Sequence, residues 1–225
     1  MKKYFKLLLI VAILIIAIIV VKKILTPEYT LNEVIDLINP KIIDNMYVKV
    51  SYNSAESIEE YYVKNKIIYQ KHTLNGELAQ EFLFDTNSNK QTNIFHYSKE
   101  IYFFENSKSL EEIMKNILKE ELLETEDAKE TYEYLGKENV DGTECIKCSI
   151  IYEDGFIDIP EKVKIIFYIS EENKRIEKEE IYTIRENNFE LYNTTEYEYS
   201  YNTVVDENIL NFDLESYPDY RIIEE

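Results

Sequence analysis

The sequence predicts an α+β chain: a single N-terminal transmembrane helix, then a long, strongly twisted antiparallel sheet with one or two helices against it. Three observations carry this. An unbroken apolar run, Leu7 to Val21, is bracketed by lysines. From Met46 onward apolar residues recur at every second position, the side-chain period of a strand. Asn75-Gly76 and Asp141-Gly142, strong two-residue hairpin signals, fall between such runs.

The anchor comes first. Lys2, Lys3 and Lys6 precede the apolar run, and Lys22 and Lys23 close it. A spanning helix needs ~20 mostly apolar residues. Tyr4 and Phe5 extend the run into the interface, and the flanking lysines snorkel outward. A signal peptide carries small residues before its cleavage site. Here the run ends in Ile19-Val20-Val21-Lys22-Lys23, with no such pattern and no nearby cysteine to take a lipid. The expectation is an uncleaved anchor, with residues 1–6 cytoplasmic, 7–23 in the membrane and 24–225 an extracytoplasmic domain. The slightly heavier basic charge ahead of the helix sets that orientation.

A helix opens the domain. Thr30 caps it, Glu33 completes a capping box, and Leu31, Val34, Ile35 and Ile38 share a face; Pro40 stops it. The period then changes to two. Met46, Val48, Val50 and Tyr52 alternate with Tyr47, Lys49 and Ser51. Glu59–Val63 and Ile67–Thr73 follow, turning at Asn65-Lys66. Asn75-Gly76 leads to the strand around Leu78, Gln80, Phe82 and Phe84, and short strands near Thr92–Tyr97 and Glu100–Phe104 complete the first run. Ser109 and Glu112 form a second capping box. Leu110, Ile113, Met114, Ile117, Leu118 and Leu122 make the apolar stripe of a second helix, with Glu111, Lys115, Lys119 and Glu120 on its solvated side. After the acidic loop Glu124–Asp127, strands resume at Thr131–Leu135, Thr143–Tyr152, Lys162–Ile169, Arg175–Ile184 and Phe189–Tyr201. In the last, Tyr197, Tyr199 and Tyr201 share a face. All four glycines, Gly76, Gly136, Gly142 and Gly155, are expected in turns.

Charge narrows the partners. The chain carries 25 Lys+Arg against 44 Asp+Glu, a net of −19. With the five anchor lysines set aside, the remainder has a net charge of −24. Nucleic acid and anionic headgroups are poor partners for such a surface, while basic proteins, cations and uncharged ligands remain. About 200 residues after the anchor suit one domain with a real core.

Tyr134-Leu135-Gly136-Lys137-Glu138-Asn139-Val140-Asp141-Gly142-Thr143-Glu144-Cys145 resembles the glycine-framed hairpin of LolA-like lipoprotein-carrier domains. Tyr197 through Ile209 and Phe212-Asp213-Leu214 resemble their closing strand and its exit. The Gram-positive, GerS-like branch, linked to sporulation and germination, is nearest in flavour. The resemblance covers roughly residues 28–223 and rests on turns and strand ends. It implies an incomplete antiparallel half barrel whose concave apolar face is closed by helices. It also implies a cavity for acyl chains, or a scaffold for a protein partner. A tethered domain departs from the freely diffusing carriers, because it cannot ferry cargo between two membranes.

Catalytic chemistry is not visible. Cys145-Ile146-Lys147-Cys148 is a C-x-x-C, but it lies on a predicted strand, where residues three apart face opposite ways. Their Cα atoms would be roughly 10 Å apart, beyond disulfide reach. One thiol is expected in the core and the other in solvent. His72 and His96, the only histidines, read as surface residues. The pairs Glu59-Glu60, Glu111-Glu112, Glu120-Glu121 and Glu179-Glu180 place adjacent acids on opposite faces wherever they lie on strands, and Asp154–Asp158 lacks a calcium-loop pattern. No G-x-S-x-G, H-E-x-x-H, P-loop or G-x-G-x-x-G occurs.

The sequence therefore points to a membrane-anchored, non-enzymatic binding protein without metal or cofactor. Its ligand is a lipid, an acyl chain or a lipoprotein. The expected cavity lining is Leu110, Ile113, Met114, Ile117, Leu118, Tyr197, Tyr199 and Tyr201. The alternative is an envelope scaffold that docks a basic cell-wall or sporulation enzyme. A thiol redox role for Cys145 and Cys148 is the remote third.

Overall fold

The computed structural model describes residues 28–39, 41–53, 56–114, 131–152, 162–185 and 188–224. The anchor run Leu7–Val21 lies outside these, as do Ile117, Leu118 and Leu122 of the second helix, the acidic loop Glu124–Asp127 and the Asp154–Asp158 stretch with Gly155. Among the described residues no helix is long and apolar enough to cross a membrane.

The architecture is one twelve-stranded open sheet. Two antiparallel meanders build it. The first comprises β1 (Met46–Tyr52), β2 (Ser57–Lys64), β3 (Ile67–Leu74), β4 (Glu77–Asp85), β5 (Lys90–Phe95) and β6 (Glu100–Glu105). The second comprises β7 (Glu133–Val140), β8 (Thr143–Tyr152), β9 (Val163–Ser170), β10 (Arg175–Arg185) and β11 (Asn188–Tyr201). They join where β1 pairs antiparallel with β11, Val48 opposite Tyr199 and Val50 opposite Tyr197. A final strand, β12 (Arg221–Glu224), lies parallel to β6 at the outer edge.

This corrects the expected fold. The sheet is open rather than a half barrel, and the described helices patch one face instead of closing it. One is α1 (Leu31–Leu37), and the other runs over 110–114. β7 also continues to Val140, past the Leu135 limit read from the sequence, and β12 was not foreseen.

Local chemistry explains the elements that agree. In α1 the Glu33 N–H donates to Thr30 Oγ1 at 3.3 Å, and the Thr30 N–H donates to Glu33 Oε2 at 2.8 Å. That capping box holds the Glu33 carboxyl below its ordinary range, chiefly through the Thr30 backbone bond. Asn75-Gly76 and Asp141-Gly142 turn with positive φ at both residues, as the two-residue hairpin requires. Gly136 departs from the expectation. It sits inside β7 at a register shift with φ +107, a bulge position that only glycine adopts without strain.

The face that carries the helices is the main core. Leu31, Val34 and Ile38 pack on Ile146, Cys148 and Ile150 of β8, on Val163, Ile165, Phe167 and Ile169 of β9, and on Ile176 and Ile181 of β10. Beyond the β1·β11 seam, Ile113 and Met114 pack on Met46, Val48, Val50, Tyr61, Val63 and Ile68. Burial of side chains of this size stabilises by ~1.5–3 kcal/mol each.

The opposite face is covered as well, which alternation alone does not reveal. Residues 203–220 form a strap against it, including the short 3₁₀ turns Glu207–Leu210 and Leu214–Ser216. Lys64 pins its start, pairing with Glu207 at 2.9 Å and donating to the Val205 carbonyl at 3.1 Å. Phe212 meets Phe103 edge-on with ring centroids 5.7 Å apart. Ala79, Ile94 and Ile101 of β4, β5 and β6 are accordingly at most 3% exposed.

Both cysteines are buried, correcting the expectation of one in solvent. Cys148 lies in the core under α1, and Cys145 lies on the other face with Ile166, Tyr168, Val140 and Tyr182. Neither is disulfide-bonded. Burial pushes the Cys145 thiol up to about 11 and the Cys148 thiol up to about 12. Both are therefore thiols near neutrality, and poor nucleophiles. The native chain is expected to resist thiol labelling at pH 8 and to react at both positions after denaturation. Rapid labelling of either cysteine without denaturant would show the strand packing to be wrong.

Candidate functional site

The helix-bearing face changes character across the sheet. On β4–β6 it presents aromatic rings and amides, where the core under the helices is mainly aliphatic. Register places Phe84, Gln91 and Phe104 in one row across β4, β5 and β6. Phe82, Asn93 and Tyr102 form the next, then Gln80, Phe95 and Glu100. The five rings surround two amides.

The rings touch in sequence: Phe84 to Phe82 at 6.4 Å, Phe82 to Phe95 at 6.0 Å, Phe95 to Tyr102 at 5.6 Å and Tyr102 to Phe104 at 6.0 Å between centroids. All five are half-buried. Gln91 donates to Asn93 Oδ1 at 2.8 Å and accepts from Asn106 Nδ2 at 2.9 Å, so the central amides are held within the patch. A depression of about 320 Å³ lies over the outer part, lined by Asn93, Phe95, Ser98, Glu100, Tyr102 and Phe104.

Of the lining residues named from sequence, five gather. Leu110, Ile113, Met114, Tyr197 and Tyr199 all pack in one cluster with Met46, Val48 and Val50, and Phe84 packs against the same cluster. Ile113 and Met114 are 6% and 0% exposed, so they fill the interior there. Ile117 and Leu118 lie outside the described residues. Tyr201 shares the face but is 37% exposed, at the outer end of the tyrosine row. Tyr199 stacks on Tyr197 at 6.3 Å and lies under the Arg175 guanidinium at 4.1 Å. Those rings are structural, held as core.

The aromatic patch was missed as a unit. Its trace in the sequence is two period-two aromatic pairs, Phe82/Phe84 and Tyr102/Phe104, on strands not adjacent in sequence. Only the β4–β5–β6 register brings them together.

A polar site lies on the other face, beneath the strap. Glu81, 8% exposed, accepts a hydrogen bond from Tyr69, one from Tyr217 at 3.0 Å and one from His96 Nε2 at 2.9 Å. With Nε2–H facing the carboxylate, Nδ1 of a neutral ring accepts the Tyr220 hydroxyl at 2.8 Å. His96 is thus a strap contact, correcting its reading as a surface residue. His72 is partly buried too, 2.8 Å from Ser57 Oγ. Both Glu81 oxygens are taken by donors from β3, the strap and the β5–β6 turn, so the carboxylate is structural. Among the described residues no three His, Cys, Asp or Glu side chains are grouped to hold a metal ion.

No family model matches the sequence, and no curated protein matches it. Similarity is found among solved structures. Lipoprotein LppX from Mycobacterium tuberculosis is 11% identical with a TM-score of 0.37, covering 72% of this chain and 87% of its own. A LolA superfamily protein from Nitrosomonas europaea is 10% identical with a TM-score of 0.30, covering 82% and 98%. The Pseudomonas aeruginosa MucA/MucB complex is 10% identical with a TM-score of 0.40, covering 80% of this chain and 58% of that one. Likenesses at this level assign neither family nor function, and the GerS-like branch gains no support from them.

Proposed function

We propose that this chain is a non-enzymatic binding protein that takes an apolar, acyl-type ligand on the helix-bearing face of β4–β6. The lysine-flanked run Leu7–Val21 supports tethering it to a membrane with residues 24–225 outside. The observation that carries the reading is the patch of five half-buried rings around two amides, continuous through Phe84 with the apolar core. Aromatic rings supply large apolar contact area with few rotamers to freeze, while a few amides orient the ligand.

The test uses the full chain in phosphatidylcholine nanodiscs with a diazirine-bearing fatty acid. Crosslinks should map to peptides of β4–β6. Phe95→Asp with Tyr102→Asp should lower that crosslinking by about tenfold or more, since each ring contributes a kcal/mol or more of apolar burial. Circular dichroism should show the sheet retained. Crosslinks confined to residues 1–27 would overturn the reading. They would favour docking of a basic envelope protein, for which the net charge of −19 argues.

A further inference from the structure

One end of the sheet gathers lysines from several loops around a single cleft. Five loops meet there, tied by backbone hydrogen bonds. The Asn39 N–H donates to the Lys174 carbonyl at 2.8 Å, the Thr86 N–H to the Lys66 carbonyl at 3.2 Å and the Asn106 N–H to the Asn89 carbonyl at 2.8 Å. The Asn65 N–H donates to Asp44 Oδ1 at 2.8 Å, closing the row.

Between these loops is a cleft of about 760 Å³ whose cationic lining is Lys41, Lys66, Lys108 and Lys174. All four are exposed, and none has an ion-pair partner among the described residues. Several other lysines pair with neighbouring acids, as in Lys49–Glu198, Lys137–Glu144 and Lys178–Glu180. Two carboxylates, Glu111 and Glu112, also line the cleft. Glu112 is committed to the Ser109 backbone N–H at 2.7 Å and to its hydroxyl at 2.6 Å. These Ser109 hydrogen bonds hold the Glu112 carboxyl below its ordinary range, and Lys108 also acts on it in the same direction. Four lysines from four loops against two carboxylates leave the cleft lining with an excess of positive charge in a chain of net charge −19.

The same cleft is lined by Ile42 and Leu110, which pack on the cluster that Phe84 joins. Its polar floor also includes Thr86, next to Asp85 at the end of β4, and Ser107, just beyond β6. The lysine-lined cleft therefore opens onto the near end of the aromatic patch. An elongated ligand on that patch would place one terminus among the lysines.

We propose that this cleft binds a phosphate-type anion, and that it thereby selects anionic amphiphiles over zwitterionic ones. The inference rests on the acyl reading of the aromatic patch, which it extends by naming the headgroup. The sequence alone argued the other way, because net charge excluded anionic headgroups. Placement of four lysines outweighs a net charge spread over the rest of the surface, since screening confines each charge's influence to about 10 Å.

The experiment uses the full chain in phosphatidylcholine nanodiscs and two soluble competitors with identical short chains, a phosphatidylglycerol and a phosphatidylcholine. Each is scored by displacement of the diazirine fatty acid from β4–β6. The wild type should favour the phosphatidylglycerol by about tenfold, as expected for several weak charge contacts acting together. The preference should weaken with added salt. The fourfold variant Lys41→Gln, Lys66→Gln, Lys108→Gln, Lys174→Gln should lose it while binding the phosphatidylcholine as before. All four positions are exposed, so the fold is expected to survive.

Equal displacement by both lipids would overturn the headgroup site and leave the acyl reading standing. Displacement by neither would overturn both. Inorganic phosphate is titrated in parallel, with binding read by nuclear magnetic resonance at the four lysines. Binding of phosphate as tight as that of the lipid would support the anion site and assign it to a free anion. Binding seen only with the lipid would assign it to a headgroup.

Discussion

Replacing Phe167 with alanine is expected to lower the unfolding free energy by about 3–5 kcal/mol. Phe167 is fully buried at the centre of β9, opposite Cys148 on one neighbour and Glu179 on the other. It packs beneath α1 among Ile165, Ile169, Ile146 and Ile150. Deletion of the ring removes its transfer free energy and leaves a cavity whose walls belong to hydrogen-bonded strands. Such walls relax little, which is why the upper part of the range is expected. Tyr97→Ala, at a position 67% exposed, serves as the matched control and should change stability by less than about 0.5 kcal/mol. Urea titration of the full chain in detergent, followed by circular dichroism, measures both. Equal midpoints for the two variants would mean that β9 is not the centre of the core.

Glu81→Ala is expected to cost about 3 kcal/mol or more, and to loosen the strap selectively. The substitution strands three donors, Tyr69, Tyr217 and His96, in a site where their carboxylate was 8% exposed. A buried donor left without its acceptor costs about 1–3 kcal/mol, and a broken buried charge network costs more than the mean of its bonds. Two of these donors and Tyr220 hold the strap in place. β12 is only four residues long and pairs with a single neighbour, so it has little else to retain it. Hydrogen exchange should therefore rise across residues 203–224 and stay unchanged in β8–β10. Removing acceptor and donors together, as Glu81→Leu with Tyr69→Phe and Tyr217→Phe, should be milder than Glu81→Ala alone. That ordering separates the penalty of stranded donors from simple loss of contacts. Unaltered exchange in the strap of the Glu81→Ala protein would show that ring packing alone secures it.

Much of this architecture was legible residue by residue. The alternation of Met46, Val48 and Val50 placed β1, and Asn75-Gly76 and Asp141-Gly142 placed two hairpins. Thr30 with Glu33 and Ser109 with Glu112 placed two helix starts. Opposite-facing acids were legible too, since Glu179 lies in the core and Glu180 bonds Lys178, Tyr168 and Tyr182 on the other face. Each of these is a local matter, fixed by the strand period, turn dihedrals or caps within a few residues.

The candidate site was only partly legible. Leu110, Ile113, Met114, Tyr197 and Tyr199 pack together in one cluster, while the half-buried ring patch belongs to Phe82, Phe84, Phe95, Tyr102 and Phe104. The period of a strand says which residues share a face. It does not say which other strands lie alongside, or whether that face is covered.

By itself, then, the sequence determined the existence of the strands of both meanders, the Asn75-Gly76 and Asp141-Gly142 turns, the helix caps and the sign of the overall charge, because those depend on neighbours along the chain. The tertiary structure decided that β1 meets β11 and that β12 returns beside β6. It also decided that Cys145 and His96 are enclosed, and that Lys41, Lys66, Lys108 and Lys174 converge. These follow from contacts between segments tens to more than a hundred residues apart. Such contacts are set by which pairing of the meanders buries the most apolar surface on both faces at once, and no local pattern encodes that choice.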